Sequence, residues 1–489
     1  MLHLVAVSIV SCHTSAAEPS SRPNVVLFVA DDHGADAGCY GNNVIKTPNI
    51  DALAREGTRY SRAFCTTASC SPSRSVILSG LFSHASGQYG LAHGTHHFAS
   101  YSSVRSLPVI LAEHGYRTAR IGKFHVAPEE AYHFETILLT AQGSRNGVEM
   151  ADNCRAFVAD KTKPFFLYFC VTDPHRNQQF LDKPERPDSF GNNIKHPGVS
   201  EITYDPKDVI VPPWMPDTPA SRAELAEYYQ SVSRVDQGLG RVVALLKETG
   251  QYDNTLIIYT SDNGIAMPGA KTNLYDAGMR LPLVVRAPGA KVRGIVSSAM
   301  ISWVDFTPTI LDFAGVKEVL EPPLIAGEPE SGLPKNPKLM QTKPYTFHGR
   351  SFRETIEKEK ADGWDVVYGS HNFHEVTMYY PMRAIRTERY KLILNLAHDL
   401  EFPFAEDIWS GATWQQALKS NASFYGKRSM HDFLHRSRYE LYDLQNDPDE
   451  TVNLVSKPEM KAVFDDLAAK LKAFQTRTRD PWLLKYDHE

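Results

Sequence analysis

Three short apolar runs constrain the fold more than any other feature of this sequence. They cover residues 24–30, 165–171 and 255–260, and polar residues follow each run directly. Short runs that are apolar at nearly every position are typical of parallel strands buried on both faces of a sheet. Because ligands bind beyond the carboxyl ends of such strands, the polar residues after the three runs should share one cleft.

Amphipathic stretches between these runs predict helices. The clearest covers 221–249, where apolar residues from Leu225 to Leu246 keep helical spacing and Gly250 can end the helix. Shorter helices are expected over 51–56 and 106–114. The alternation of strand and helix patterns predicts an α/β fold, with a large mixed, mostly parallel sheet sandwiched by helices.

The pattern changes beyond about residue 368. Segments 379–386, 390–395 and 439–444 have the pattern of short antiparallel strands, and 460–476 that of a closing helix. We therefore expect a large α/β domain over 22–368 and a smaller C-terminal α+β domain with an antiparallel sheet over 369–489. A stretch rich in Pro, Gly and Glu, 322–344, predicts a surface loop.

Composition excludes some classes of function and the N-terminus indicates a compartment. A net charge of −5 over 489 residues gives no basic footprint for nucleic acid. No run reaches the roughly 18 apolar residues that a membrane span needs. The apolar run 4–10, followed by Ser15, Ala16 and Ala17, predicts a signal peptide over 1–17, with a misassigned start codon or a frayed tail as the alternatives. We expect a secreted or periplasmic protein, or one in a lysosome-like compartment if the source is eukaryotic.

The six cysteines match no zinc-binding or disulfide framework. Loss of Cys12 with the signal peptide leaves five, so at least one thiol has no partner within the chain. The count shows that a cysteine is left unpaired, but it does not show which one.

Oxygen ligands follow two of the apolar runs. Asp31 and Asp32 follow the first run, and Asp262 and Asn263 follow the third. Hard cations such as Ca²⁺ or Mg²⁺ prefer this ligand set, whereas Zn²⁺ prefers His or Cys. A single Asp at a strand end is more simply a helix cap, but acids at two strand ends favour a metal site.

Cys70 opens a segment that favours anions. Ser71 can cap a helix and Pro72 suits its first turn, which places Cys70 at a helix N-terminus. Backbone N–H groups and the helix dipole attract anions there, and Arg74 lies one turn away. A plain buried thiol is the alternative.

Four further residues could face an anion in the same cleft: Lys123, His125, His175 and Lys271. Lys123 and His125 are separated by one residue and can point the same way from an extended segment. Each residue alone is more simply a surface lysine or a core histidine.

A histidine cluster, His93, His96 and His97, has no carboxylate or cysteine beside it. We interpret it as pocket lining or plain surface rather than a second metal site.

Taken together, these motifs resemble the sulfatase family. Residues 70–74 with 78–80 resemble the first family signature, Cys-x-Pro-Ser-Arg followed by Leu-Thr-Gly. Residues 114–125 resemble the second signature, with Phe124 where Trp is common, and 253–264 resemble a third landmark. The resemblance runs from about 22 to 483, and it is closest to the sulfamidases, the sulfatases that remove N-linked sulfate from glucosamine. The segments with that closer likeness are 96–98, 104–108, 173–176, 272–275, 374–383 and 480–482.

The resemblance implies a catalytic site and its cofactors. A maturase would oxidise Cys70 to Cα-formylglycine, whose hydrate is the nucleophile, with His175 as general acid and His125 as base. The residues implied for the site are Asp31, Asp32, Asp262 and Asn263 as ligands of Ca²⁺ (or Mg²⁺), Arg74, Lys123 and Lys271 around the sulfate, and His374, Glu375 and His97 near the sugar.

The implied reaction is hydrolysis of the N-sulfate of terminal N-sulfoglucosamine in saccharides from heparan sulfate or heparin. The alternatives are an O-sulfatase, a phosphonate or phosphodiester hydrolase, and a glycan-binding protein without turnover. For Glu375 the alternative is a structural salt bridge with Arg383 or Arg386. The expected partners are a sulfated saccharide and the maturase, with a second copy of the chain as a further candidate.

Overall fold

The computed structural model describes residues 22–141, 143–177, 190–317 and 346–484. The predicted signal peptide, 1–17, and the predicted loop, 322–344, lie outside the described residues. In the described part of the chain, no helix is long and apolar enough to span a membrane.

A large sheet forms the centre of the molecule. Its strands are β1 (Asn24–Ala30), β2 (Thr58–Phe64), β3 (Arg117–Gly122), β4 (Thr136–Leu138), β5 (Phe165–Cys170), β6 (Thr255–Ser261), β7 (Leu283–Arg286) and β8 (Ile295–Ser302). Their order is β4-β3-β5-β1-β6-β7-β2-β8, and only the pairs that include β7 are antiparallel. The predicted mixed, mostly parallel sheet is confirmed.

Helices cover both faces of this sheet. Val25 and Leu27 of β1 pack in the same core as Ile77, whereas Val26 and Phe28 pack in a second core with Leu239. The helices of the described residues are α1 (Pro48–Glu56), α2 (Cys70–Ser79), α3 (Ser83–Ser86), α4 (Leu107–Glu113), α5 (Gly147–Asn153), α6 (Arg155–Ala159), α7 (Pro219–Glu248), α8 (Asp276–Met279), α9 (Phe306–Phe313), α10 (Glu406–Trp409), α11 (Ala412–Lys419), α12 (Met430–Leu434) and α13 (Lys461–Arg477).

A second, antiparallel sheet occupies the C-terminal part of the chain. Its strands are β9 (Val366–His371), β10 (Met382–Thr387), β11 (Tyr390–Asn395) and β14 (Tyr439–Asp443), in the order β14-β11-β10-β9. Strands β12 (Phe424–Tyr425) and β13 (Arg428–Ser429) form a separate hairpin. Helix α13 packs on the four-stranded sheet, where the rings of Phe474 and Tyr368 stack with centroids 4.2 Å apart. The C-terminal α+β architecture is confirmed, and the domain boundary at 368/369 stays a prediction.

Two local predictions differ from the structure. Strand β10 begins at Met382 rather than at 379, because Pro381 has no N–H for a sheet ladder and Tyr380 donates its N–H to Asn372 O instead. Helix α2 begins at Cys70, so Ser71 is not its N-cap. The Ser71 hydroxyl instead accepts a hydrogen bond from Ala92 N at 3.0 Å.

Candidate active site

Four oxygen-bearing side chains meet at the carboxyl ends of β1 and β6. These strands are parallel neighbours with Ala30 opposite Ser261, so the residues that follow them lie side by side. The predicted ligands are all fully buried, and they are Asp31, Asp32, Asp262 and Asn263. Hydrogen bonds join the two pairs, from Asp32 N to Asp262 Oδ1 at 3.1 Å and from Asn263 Nδ2 to Asp32 Oδ1 at 2.6 Å.

The chemistry of this group fits a hard cation. Asn263 Oδ1 is buried and has no hydrogen-bond partner among the described residues, which leaves an amide oxygen free for a metal. Burial, reinforced by Asp31 and Asp32, raises the pKa of Asp262 to about 7 even though Arg74 opposes it. A divalent cation would remove this repulsion and keep the carboxylates ionised.

Cys70 lies beside the carboxylates at the first turn of α2. Its Sγ is 3.5 Å from Asp31 Oδ1 and 3.9 Å from Asp32 Oδ1, and only 1% of the residue is exposed. Burial raises the pKa of the Cys70 thiol well above its ordinary value, although Lys123 and Lys271 oppose this. The unmodified side chain is therefore a neutral thiol, which is a weak nucleophile.

Each buried carboxylate has its own cation. Arg74 Nε contacts Asp262 Oδ2 at 2.8 Å, Lys271 Nζ contacts Asp32 Oδ2 at 2.9 Å, and Lys123 Nζ pairs with Asp31. Lys123 follows β3, where its N–H donates to Cys170 O at 2.9 Å. These cations surround Cys70 and can hold an anionic substrate there.

Two predicted histidines complete the cluster. Burial, followed by Lys271 and Lys123, lowers the pKa of His175 to about 4, and its Nε2 lies 3.3 Å from Lys271 Nζ. Burial and Lys123 lower the pKa of His125 well below its ordinary value. The ring of His125 pairs with His93, which sequence reasoning placed only as pocket lining or surface. Both histidines are neutral near pH 7, so each can accept a proton.

The loop 374–375 reaches the same cleft from the C-terminal part. His374 is buried and its Nδ1 shares a hydrogen bond of 2.8 Å with Ser69 Oγ, directly before Cys70. Glu375 Oε1 accepts a hydrogen bond from Glu406 N at 2.9 Å, and burial raises the pKa of this half-buried carboxyl. His97 is exposed, and within the described residues no hydrogen bond or ion pair joins its side chain to the cluster.

The alternative salt bridges for Glu375 are not formed. Arg383 instead makes a buried bidentate salt bridge with Asp480, in which Nε donates to Oδ2 at 2.6 Å and Nη2 donates to Oδ1 at 2.8 Å. Arg386 Nη2 contacts Asp276 Oδ2 at 3.0 Å. Glu375 is therefore free of both arginines.

Asp407 is a site residue that the sequence did not reveal. It belongs to α10, and its Oδ2 accepts a hydrogen bond from Lys271 Nζ at 2.7 Å. Helix α10 has only four residues and Asp407 matches no motif, so no periodic signal marks it. No signal in the sequence could have found it, because the need of Lys271 for a buried partner is evident only once the fold has buried it.

Comparisons with known proteins found a matching family and several relatives. The profile of the Sulfatase family matches residues 23–316. N-sulphoglucosamine sulphohydrolase from Homo sapiens is 38% identical over 488 residues, covering 96% of this chain and 93% of that protein. An ulvan-active sulfatase from Formosa agariphila is 28% identical and covers 92% of this chain and 79% of that protein.

Among solved structures, a protein in complex with its substrate D-glucosamine-2-N,6-O-disulfate is similar in fold. Its TM-score is 0.62 at 23% identity, over 94% of this chain and 99% of that chain. The profile match spans every cluster residue from Asp31 to Lys271, and the human relative extends the similarity to the C-terminal sheet.

Proposed function

Because this chain belongs to the sulfatase family, we propose that it removes the N-sulfate of terminal N-sulfoglucosamine in saccharides derived from heparan sulfate or heparin. That it is a sulfatase hydrolase follows from the family alone. The N-sulfate specificity is supported by the 38% identity to the human N-sulphoglucosamine sulphohydrolase, which spans 96% of the chain.

Residue 70 is the proposed nucleophile after conversion of Cys70 to formylglycine. The hydrated aldehyde supplies one hydroxyl that attacks sulfur and a second that later releases sulfate without a fresh water attack. The neutral, buried thiol supports this proposal, because the unmodified cysteine lacks the thiolate that nucleophilic attack needs.

The four oxygen ligands are proposed to hold Ca²⁺, with Mg²⁺ as the alternative ion. When bound, the cation would balance negative charge on the reacting oxygens. The free Asn263 Oδ1 and the three buried carboxylates supply the ligands.

Arg74, Lys123 and Lys271 are proposed to hold the sulfate group. All three lie next to the carboxylates around Cys70, where water is largely excluded. In such a site, fixed cations stabilise the charge that develops on the sulfonate oxygens as the bond to sulfur breaks.

His175 is proposed as the general acid and His125 as the base that takes a proton from residue 70. An amine leaves poorly unless it is protonated. The Nδ1 atom of His175 hydrogen-bonds to Arg176 O at 2.6 Å, so Nε2 faces the cleft. Bound sulfate would offset the charges of Lys271 and Lys123, which lower the pKa of His175, and so raise that pKa towards the working range.

His374, Glu375 and His97 are proposed to line the sugar pocket. Glu375 can accept hydrogen bonds from sugar hydroxyls, since within the described part of the chain it has no arginine partner and only its Oε1 is engaged. A sugar without the matching hydroxyl would leave this carboxylate unpaired, at a cost of about 1–3 kcal/mol.

The cellular location, maturation and assembly of the chain are also proposals. We propose secretion or export to the periplasm, or a lysosome-like compartment in a eukaryote, with maturation of Cys70 by a separate enzyme. Homodimer formation is a further proposal, and so is the division into domains at 368/369.

The test is the ratio of kcat/KM for N-sulfoglucosamine to that for glucosamine 6-sulfate. We expect wild type to prefer the N-sulfate and Glu375→Gln to lower kcat/KM for the sugar by about tenfold. Glu401→Gln removes an equal charge from an exposed position and should behave as wild type.

A wild type that prefers glucosamine 6-sulfate would identify an O-sulfatase instead. Faster hydrolysis of a phosphonate or phosphodiester would identify the other hydrolase class. Unchanged kinetics in Glu375→Gln would remove Glu375 from the sugar pocket.

A further inference from the structure

Asp407 joins the C-terminal part of the chain to the catalytic cluster. Its Oδ2 lies 2.7 Å from Lys271 Nζ and 3.9 Å from His175 Nε2, and these two nitrogens are 3.3 Å apart. The three groups form a triangle, so a molecule bonded to one of them lies within reach of the other two.

One oxygen of Asp407 has no partner among the described residues. Oδ1 is buried, makes no hydrogen bond within the described residues, and belongs to a side chain that is only 12% exposed. A buried carboxylate oxygen without a donor is unfavourable. A bound molecule that brings a donor to this position would relieve that cost.

The leaving atom of the substrate must come close to the Asp407 carboxylate. The other ring nitrogen of His175 is engaged with Arg176 O, so Nε2 is the atom that passes a proton to the substrate. Proton transfer needs a separation of about 3 Å between Nε2 and the leaving atom. That places the leaving atom beside Asp407.

Nitrogen and oxygen leaving groups differ in the donors that they offer. The nitrogen of a sulfamate carries one hydrogen and gains a second from His175, and it keeps the bonding pair when the bond to sulfur breaks. It therefore has two N–H donors and a positive charge before it leaves as a primary amine. An ester oxygen gains a single hydrogen, which points back to His175 and leaves no donor for a second acceptor.

We propose that Asp407 selects N-sulfates over O-sulfates by accepting the second N–H of the leaving nitrogen. The inference rests on the proposed function. The negative charge of Asp407 stabilises the positive nitrogen in the transition state, and it stabilises no donor on an ester oxygen, whose single hydrogen points to His175.

The experiment compares wild type, Asp407→Asn and the matched control Asp399→Asn. Asp399 is 93% exposed, so its variant makes the same substitution on the surface. Three quantities are measured: kcat/KM for N-sulfoglucosamine, kcat/KM for 4-nitrophenyl sulfate, and the inhibition constant of inorganic sulfate.

In Asp407→Asn we expect kcat/KM for N-sulfoglucosamine to fall by about ten- to hundredfold, the effect of one charge-assisted hydrogen bond. The activity on 4-nitrophenyl sulfate and the inhibition by sulfate should stay within about twofold of wild type. A purely structural role through Lys271 would weaken all three alike, because Lys271 holds the sulfate that they share. An equal loss in all three, or no loss at all, would overturn the inference and leave the proposed function standing.

Two further outcomes are distinct from those above: the variant does not fold, or the proposed function itself is wrong. Should Asp407→Asn fail to fold, Asp407→Glu keeps the charge and should retain most of the selectivity, whereas a structural pairing with Lys271 would lose all activities together. A wild type that cleaves 4-nitrophenyl sulfate and leaves N-sulfoglucosamine intact would overturn the proposed function and this inference with it.

Discussion

At the scale of single residues, chemistry depends on side chains that are buried and charged. Asp31, Asp32 and Asp262 are buried away from water. The fold tolerates the burial of these charges because each carboxylate forms an ion pair with a cation. Ion pairs with this degree of burial do little for stability, and losing one partner is costly. Their presence at one cleft therefore reflects function rather than folding.

Cys70→Ala should abolish hydrolysis and leave the fold intact. Alanine removes one buried sulfur atom, which we expect to cost about 1 kcal/mol, and it removes the proposed nucleophile entirely. The measurements are turnover of 4-nitrophenyl sulfate and the thermal midpoint. Cys154→Ala, at a buried cysteine in the core that Leu239 shares with β1, should keep its activity. Full activity in Cys70→Ala would exclude residue 70 as the nucleophile.

Ca²⁺ should stabilise the metal-free protein. Binding to the folded state alone adds about 2.7 kcal/mol at a Ca²⁺ concentration one hundred times the dissociation constant. Asn263→Ala should reduce this gain, because it removes the free amide oxygen. Thermal midpoints with and without Ca²⁺ measure the effect. The prediction would be contradicted if Zn²⁺ raised the thermal midpoint through His96 and His97, and if substitution of the acidic ligands did not change the thermal midpoint.

At the scale of elements, the sequence predicted those with continuous or periodic apolar patterns. Strands β1 and β6 and helix α7 lie within two residues of their predicted bounds, because every position of both strands is buried and α7 keeps one apolar face. Strand β2 was missed, since Arg59 and Arg62 interrupt its apolar residues. Helix α10 was missed because four residues are too few for a period, and so Asp407 could not be placed.

The backbone at the end of β3 determines the position of the Lys123 side chain. A Cβ at Gly122 would lie 2.0 Å from Cys170 O, and its φ is +83°. Gly122→Ala should therefore displace Lys123 from Asp31 and lower kcat/KM by about tenfold or more. Gly289 has a similar φ of +74° with nothing within 4 Å, so Gly289→Ala isolates the cost of φ alone, about 1 kcal/mol. Equal losses of unfolding free energy and activity in both variants would show that the contact with Cys170 is irrelevant.

At the scale of the whole molecule, the cleft is built from distant parts of the chain. Lys271 and Asp407 are 136 positions apart, and His374 meets Ser69 across 305 positions. The sequence predicted which residues of the large sheet converge, since strand ends share one edge. The strand and helix patterns could not predict that the C-terminal part meets that edge, because this depends on packing between the two sheets. Only the resemblance to sulfamidases implied that His374 and Glu375 lie there.

Buried histidines at that junction make stability depend on pH. His84 connects Ser370 of β9 with Thr478 after α13, and burial, opposed by Asp480 and reinforced by Arg383, lowers its pKa to about 4. Burial likewise lowers the pKa of His371 to about 3. Because these folded-state values lie below the unfolded value near 6.5, the stabilisation is present above pH 6.5 and is lost as pH falls towards 4.

We therefore expect the thermal midpoint to drop between pH 7 and pH 4, with His84 contributing about 3 kcal/mol to the change in unfolding free energy. His84→Gln should flatten this dependence. His431→Gln, at an exposed histidine, should leave it as in wild type. A pH profile that is identical in His84→Gln and wild type would contradict the assignment.

The burial of Cys70 also sets an order of events in the life of each molecule. Every residue of α2 is buried, and Cys70 itself is only 1% exposed. If residue 70 is converted as proposed, the modifying enzyme must reach it before the sheet and α2 close together, so modification and folding compete in time. Conditions that favour rapid folding would then yield molecules that are correctly folded and permanently inactive. A measurement of stability alone would not report which fraction of a preparation is active.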